Sequence, residues 1–409
     1  AGVTTMTTAR VTSGIVTNTF IVGAGVTITE SGIEASGIGI TCANINGTQI
    51  GGRRNLVING AMNVAERGTA AVASIGYKTV DRMQLDAGSG IDETPSQEQG
   101  TVASGTTPYT EGFRKTLKIT NGNQTTSVAS NTDLYFQVLY KFESQNIATS
   151  GWNYLSPSSF ITLSFWVKSS VAQEFYARLQ TSDGTSYNYP FSTGSLSANT
   201  WTKVVKKIPG NSNLQFDNDA NQGLAIEWVI YRGTGKTGSG ATLNTWSVYD
   251  STQRVPDCPT SFYTTNDATF ELTGIQMEVG SQATPFEHRS SGEELALCQR
   301  YYYKHVDGNT KTVTENGTHY TGAYIFASFQ APTAMRTAPS IEVETGSAYY
   351  VTHSNGQQTQ TFSGTGVISS YNGKNYLSIQ TSEGGGTQGH ATVWRTNNAS
   401  ARIAYGAEL

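Results

Sequence analysis

Charge is scarce in this chain. Asp, Glu, Lys and Arg make up 14 % of its 409 residues and leave a net charge of only −4. Such a balance provides no electrostatic footprint for nucleic acid or for an anionic membrane, so neither is an expected partner. Cysteine is nearly absent. Cys42, Cys258 and Cys298 lie far apart with no C-x-x-C pair, which argues against a zinc site and against a disulfide framework. They read as free, mostly buried thiols of a chain assembled in a reducing cytosol. Long apolar runs are missing too. None approaches the ~18 residues of a membrane span, and the first residues lack the basic and apolar regions of a secretion signal. No membrane insertion is expected, and a chain of this kind acting outside cells would leave by lysis. Ala1 is the residue that removal of an initiator methionine would leave, so the chain is expected to begin at its own N-terminus.

What is present is Gly (44 residues) and Tyr (21), with much Thr, Ser and Asn. β-Branched and aromatic side chains suit a pleated surface and Gly supplies the positive φ of tight turns, so strands are favoured over helices. The aromatics also argue against disorder. The fold class expected is all-β: a short intertwined N-terminal β shaft, a central jelly-roll sandwich, a short linking helix and a smaller C-terminal β-sandwich.

Residues 1–54 are dominated by Gly, Thr, Ile and Val, with Phe20 the only aromatic. Short alternating pieces such as VTITE sit between glycine turns and read as strands with one apolar face. So thin a segment has no interior of its own. Burying one isoleucine is worth roughly 1.5–3 kcal/mol, while ordering each residue costs a comparable ~1–2 kcal/mol of backbone entropy. The expected resolution is a homotrimer in which Ile15, Ile21, Ile28, Ile33, Ile38, Ile45 and Ile50 form a shared core. The alternative is an arm lying on a neighbouring protein.

Residues 55–290 carry many strand-like runs separated by turn-rich segments, without long helical patterns, which indicates a jelly roll. In ITLSFWVKS, Ile161, Leu163, Phe165 and Val167 share one face and Trp166 takes the other, as in an inner strand covered on both sides. Residues 291–306 hold the helical signal of the chain: Ser290 or Ser291 can cap, and Glu293 and Glu294 sit in the first turn. Residues 307–409 return to strands and glycine-rich loops.

The search for chemistry is mostly negative, and no catalytic residue or cofactor is expected. GTGKTGSG (233–240) imitates the end of a phosphate loop, but Ile230 stands where that motif needs Gly and no helix pattern follows. The basic cluster Lys203, Lys206 and Lys207 alternates along a strand and reads as a solvated face. His288, His305, His319, His353 and His390 show no metal-ligand spacing. Glu293 and Glu294 are adjacent on a helix and point apart. Asp217 and Asp219, in DNDAN, form a calcium candidate through their oxygens, although an Asx-turn loop explains them as well. What remains are loop aromatics, whose flat apolar faces and polar edges suit sugar rings and protein interfaces alike. Tyr109, Trp152, Tyr154, Tyr187, Tyr189, Tyr371 and Tyr376 are the glycan-binding candidates, with Tyr349 and Tyr350 beside them.

NLVINGAMNVAERGT, followed by GYKTVDRM, then LSFWVKSS, and above all TGIQMEVGSQATPFEHRSSGEELALCQRYYYK, resembles tail and fibre proteins of marine and cyanobacterial bacteriophages. APTAMRTAPS and the terminal GAEL are similar to their last domain, and SGIVTNTF to their glycine-punctuated shafts. The resemblance covers nearly the whole chain, with residues 272–304 its most specific block. It implies a homotrimeric, non-enzymatic virion fibre whose central domain is similar to carbohydrate-binding jelly rolls. The expected partners are other tail, baseplate or capsid proteins through the N-terminal segment, and host cell-surface glycan. The departure is length, since only about fifty residues precede the jelly roll where many relatives have long shafts.

Overall fold

The structure, a computed structural model, describes residues 54–125, 132–354 and 357–409, together with the backbone of four short upstream strands. Residues 357–359 are likewise described by backbone alone.

The chain divides into two units, Ala1–Ile45 and Asn46–Leu409. In the first, strands Val26–Thr29 and Gly32–Ala35 pair antiparallel, with Ile28 opposite Ile33. The side chains of the seven isoleucines proposed as a trimer core (Ile15, Ile21, Ile28, Ile33, Ile38, Ile45 and Ile50) lie outside the described residues.

In the second unit, the central domain is a sandwich of two antiparallel six-stranded sheets, as the recurring short strands predict. One runs in the order Thr202–Pro209, Phe160–Ser169, Thr269–Val279, Lys115–Thr120, Ser96–Thr101, Val72–Ala73. The other runs Ser247–Val248, Tyr187–Ser195, Glu174–Thr181, Gln222–Arg232, Tyr135–Glu143, Gln84–Gly88. Alternation decides what each strand buries. Ile161, Leu163, Phe165 and Val167 enter the core between the sheets, where Leu224, Ile226, Trp228 and Ile230 meet them from the opposite sheet. The rings of Phe165 and Trp228 meet edge to face at 5.7 Å. Trp166 points the other way, into a second cluster with Ala61, Val102 and Phe113, and its Nε1–H donates to Glu111 at 3.0 Å. This strand is therefore covered on both sides.

The outer face of the second sheet is polar yet buried. Arg178 grips Glu227 through two bonds of 2.8 and 2.5 Å, and Arg232 reaches Glu227 at 3.1 Å. Burial would raise the Glu227 carboxyl, but the two guanidiniums outweigh it and hold it below its ordinary value. The chain after Arg232 returns across this face, and Asn188 donates to the Arg254 carbonyl at 2.8 Å. GTGKTGSG belongs to that return as a 3-10 turn, Thr234–Lys236, and no helix follows it.

The C-terminal domain packs a three-stranded sheet (Tyr302–Asp307, Arg402–Gly406, Ser340–Val343) against a seven-stranded one. The latter runs Gln357–Phe362, Tyr350–Ser354, Ala391–Thr396, Thr312–His319, Ile325–Gln330, Tyr376–Thr381, Val367–Ile368. Trp394, Tyr350, Tyr405, Leu377 and Ile379 form its core. The linking helix is Ser291–Gln299, capped by the Ser290 hydroxyl, which accepts from the Glu293 amide at 3.3 Å. It is shorter than the expected 291–306. The aromatic run that follows pairs as a strand instead, with Tyr302 opposite Gly406.

Candidate functional site

The most recognisable residues of the sequence converge on a buried junction between the two β-domains, and their contacts are structural. Asn59, at a positive φ of 61°, donates to the carbonyls of Val64 and Asp81 at 2.8 and 2.9 Å and receives the Val64 amide at 2.9 Å. Its own amide donates to Glu294 on the linking helix at 2.6 Å. Arg82 lies 3.5 Å over the ring of Tyr301 and pairs with Glu408. Glu143 receives two bonds from Arg300 and one from the Tyr301 hydroxyl, each 2.6 Å. Burial alone would raise the Glu143 carboxyl, but these donors hold it below the usual range. Arg336 donates to the carbonyls of Ala407 and Glu408, both at 2.7 Å, which secures the terminal GAEL. The signature thus encodes the clamp that joins the domains. Hollows of about 540 and 480 Å³ flank Tyr77 and Lys78 beside it, but Arg67 and Arg402 on their walls are paired with Glu408 and Glu344.

The aromatic candidates separate sharply by domain. Trp152 and Tyr189 are 3 % and 2 % exposed and belong to the central core, so neither can serve as a sugar platform as it stands. Tyr154 packs edge to face on Phe216 at 5.0 Å, and Tyr187 lies against the same core. Tyr109 is half-buried beneath the guanidinium of Arg114, 3.8 Å from its ring. Tyr350 is interior to the C-terminal domain, and Tyr349 packs against that core. These positions read as loops from local sequence, but strand alternation or a turn carries each ring inward.

Tyr371 and Tyr376 do the opposite. They are 76 % and 66 % exposed, and both line one hollow of about 450 Å³ on the outer face of the seven-stranded sheet. Parity explains the face: Ile325, Leu377 and Ile379 are buried, so Phe326, Ser328, Tyr376 and Ser378 point away from the core. Phe326 lies opposite Thr318 on one side and Gln380 on the other, while Ser328 faces Ser378. Thr318, Ser328, Ser378 and Asn316 supply hydroxyls and an amide to the lining. The loop that presents Tyr371 is fixed by Asn372, which donates to the Pro339 carbonyl at 2.8 Å and accepts the Ser378 amide at 2.8 Å. The Tyr371 amide donates to the Ser378 hydroxyl at 3.0 Å.

Sequence reading missed that the hairpin at residues 319–325 extends this face. Tyr320 is exposed and its ring meets that of Phe326 at 5.3 Å, edge to face; Tyr324 is exposed beside it. The signal was available in THYTGAYIF, where buried His319 and Ile325 alternate with Tyr320, Tyr324 and Phe326. The calcium candidates are held otherwise. Asp219 receives both the amide and the side chain of Asn221, at 2.9 and 2.5 Å, in an Asx turn, and Asp217 accepts from Gln215 at 3.0 Å. Among the described residues no group of three His, Cys, Asp or Glu could hold a metal ion.

No protein-family model matches the chain, and no curated protein matches it. Among solved structures, the enzymatically active domain of bacteriophage CBA120 tailspike protein 4 is similar at 9 % identity and a TM-score of 0.27, over 55 % of this chain. This chain spans only 21 % of the length of that tailspike. The tandem CBM22-1–CBM22-2 domains of Paenibacillus barcinonensis Xyn10C are similar at 10 % identity and a TM-score of 0.26, over 80 % of this chain and 93 % of theirs. A family 30 carbohydrate-binding module is similar at 11 % identity and a TM-score of 0.24, over 55 % of this chain and 89 % of its own.

Proposed function

We propose that this chain is a virion fibre protein of a bacteriophage, binds host surface polysaccharide through the outer face of its C-terminal domain, and has no enzymatic role. The observation that carries the binding reading is the pair Tyr371 and Tyr376, both mostly exposed at one hollow whose lining includes the hydroxyls of Thr318, Ser328 and Ser378. Exposed tyrosines gathered on a strand surface keep apolar area in water, and a sugar ring covers such area while its hydroxyls meet the polar side chains of the lining. The virion assignment rests on the sequence resemblance to phage fibre proteins. It carries with it a homotrimer built through residues 1–54, attachment to tail, baseplate or capsid through the same segment, and release at lysis. Trimeric display multiplies weak single-site contacts without strengthening any of them.

The test is adsorption. Purified chain at rising concentration is expected to compete with phage particles for host cells, and a Tyr371→Ala/Tyr376→Ala variant of unchanged circular dichroism is expected not to. Equal competition by both proteins would reject the tyrosine face. Sedimentation of the purified chain as a monomer would reject the trimer.

A further inference from the structure

Resting on that reading, we propose that the tyrosine face takes an uncharged oligosaccharide longer than a disaccharide and holds it between aromatic rings at two ends. The charge assignment comes from the lining. Aromatic, aliphatic, hydroxyl and amide side chains make the hollow, and among the described residues no Asp, Glu, Lys or Arg contributes to it. Glu315 and Lys374 are neighbours in sequence but are not part of that wall. A uronate, sulfate or amino sugar laid there would lose hydration with no counter-charge to replace it, a cost that a neutral sugar does not meet. Sugar hydroxyls both donate and accept, as do the hydroxyls of Thr318 and Ser328 and the amide of Asn316.

The length comes from register. Tyr376 lies opposite Gln330 and Gln380 opposite Phe326, so four residues of strand, about 14 Å, separate the Tyr376 row from the Phe326 row. Beyond Phe326 the face continues to Tyr320, whose ring touches it. Between the aromatic ends lies the hydroxyl row of Ser328 opposite Ser378. The two tyrosines flanking the hollow make the first end sufficient for a short ligand. Tyr320 is reached only by a longer one.

The experiment uses the full chain on an array of neutral, carboxylated, sulfated and amino oligosaccharides of mixed linkage, from mono- to hexasaccharide. Binding is expected on neutral spots alone, with affinity rising from di- to hexasaccharide. Tyr320→Ala is expected to weaken the hexasaccharide roughly two- to tenfold and leave the disaccharide unchanged, whereas Tyr371→Ala weakens both. Binding confined to charged spots and lost in Tyr371→Ala would overturn the charge assignment while leaving the glycan reading in place. An unchanged hexasaccharide affinity in Tyr320→Ala, or an equal loss for both lengths, would overturn the two-ended site. No binding on any spot by a folded chain would overturn both this proposal and the reading beneath it.

Discussion

Trp152 and Tyr189 of the central sandwich sit in its interior against Phe216 and Trp246, whereas Tyr371 and Tyr376 of the C-terminal domain stand in solvent. The contrast is general. Among the described residues, the large hydrophobic side chains exposed in the central domain are aliphatic (Val72, Ile75, Leu155, Val205 and Val248), and those of the C-terminal domain are four tyrosines and Ile368. Scattered single aliphatics are the ordinary condition of a protein surface. Tyrosines sharing one face are not, and they mark a place that something covers. The same residue types therefore serve as core in one domain and as candidate platform in the other. What separates the two uses is strand parity, not composition.

Substitution should cost most where the domains meet. Arg82→Ala would take from Glu408 one of its two arginines, leaving Arg67 at 3.3 Å, and strip the ring of Tyr301. Removing one partner of a buried ion pair costs roughly 3–5 kcal/mol, and the cation that stays puts the expected loss at the lower end of that range. Chemical denaturation should show that loss. A change below about 1 kcal/mol would mean that the clamp does not hold the domains together. Trp152→Ala tests the core side of the contrast, with an expected loss of about 3–5 kcal/mol and no change in glycan affinity of the protein that remains folded. Reduced affinity with unchanged stability would reverse the assignment of Trp152.

Asp81, buried at the junction with one carboxylate oxygen lacking a partner among the described residues, brings a pH dependence. Burial dominates over the attraction of Arg67 and pushes its carboxyl up to about 7, from an ordinary 3.8. The folded protein keeps a proton that the unfolded chain releases. The contribution of Asp81 is thus fully present below pH 3.8, falls as pH climbs, and is lost by about pH 7. At about 1.4 kcal/mol per pH unit the swing is on the order of 4 kcal/mol. Asp81→Asn removes that slope, so the variant should gain on the natural protein between pH 4.5 and pH 8 in urea titrations. Parallel pH profiles would show that Asp81 is ionised in the fold.

Much of the architecture was legible in the sequence because it rests on short-range pattern. Period-2 alternation in ITLSFWVKS placed Trp166 opposite Phe165, and Ser290 with Glu293 and Glu294 marked the helix start. The helix end was harder: CQRYYYK continues a helical pattern, and only the distant strand Arg402–Gly406 claims Tyr302 for a sheet. The site was half legible. Tyr371 and Tyr376 read as isolated loop aromatics, but their meeting depends on pairings between strands 312–319, 325–330 and 376–381, which no local pattern states. Trp152 and Tyr189 read as loop aromatics yet are buried for the same reason, since exposure is decided by what folds over a ring. The resemblance block in residues 272–304 holds Glu294, Arg300 and Tyr301 of the domain clamp and none of the residues of the candidate tyrosine face.

A smaller effect should come from Asn372→Ala, which removes the bonds to Pro339 and Ser378. Each such bond is worth about 1 kcal/mol net, so stability should fall by roughly 1–2 kcal/mol, and glycan affinity several-fold as Tyr371 loses its fixed position. If affinity holds while stability falls, the tyrosine needs no fixed loop.

The smallest expected change in stability is the most informative. Tyr376→Ala removes a ring that is two-thirds exposed, and surface substitutions of this kind stay within about 0.5 kcal/mol. Its neighbours in the strand, Leu377 and Ile379, keep the core, so the thermal midpoint should not move. Affinity for a bound oligosaccharide should nevertheless drop several-fold, because the ring edge is the wall of the hollow at the Gln330 row. A core residue loses stability and spares binding; a platform residue loses binding and spares stability. Should Tyr376→Ala instead melt the domain, its exposed ring would be covered in the assembled protein by another copy or another chain, and the tyrosine face would be a protein interface.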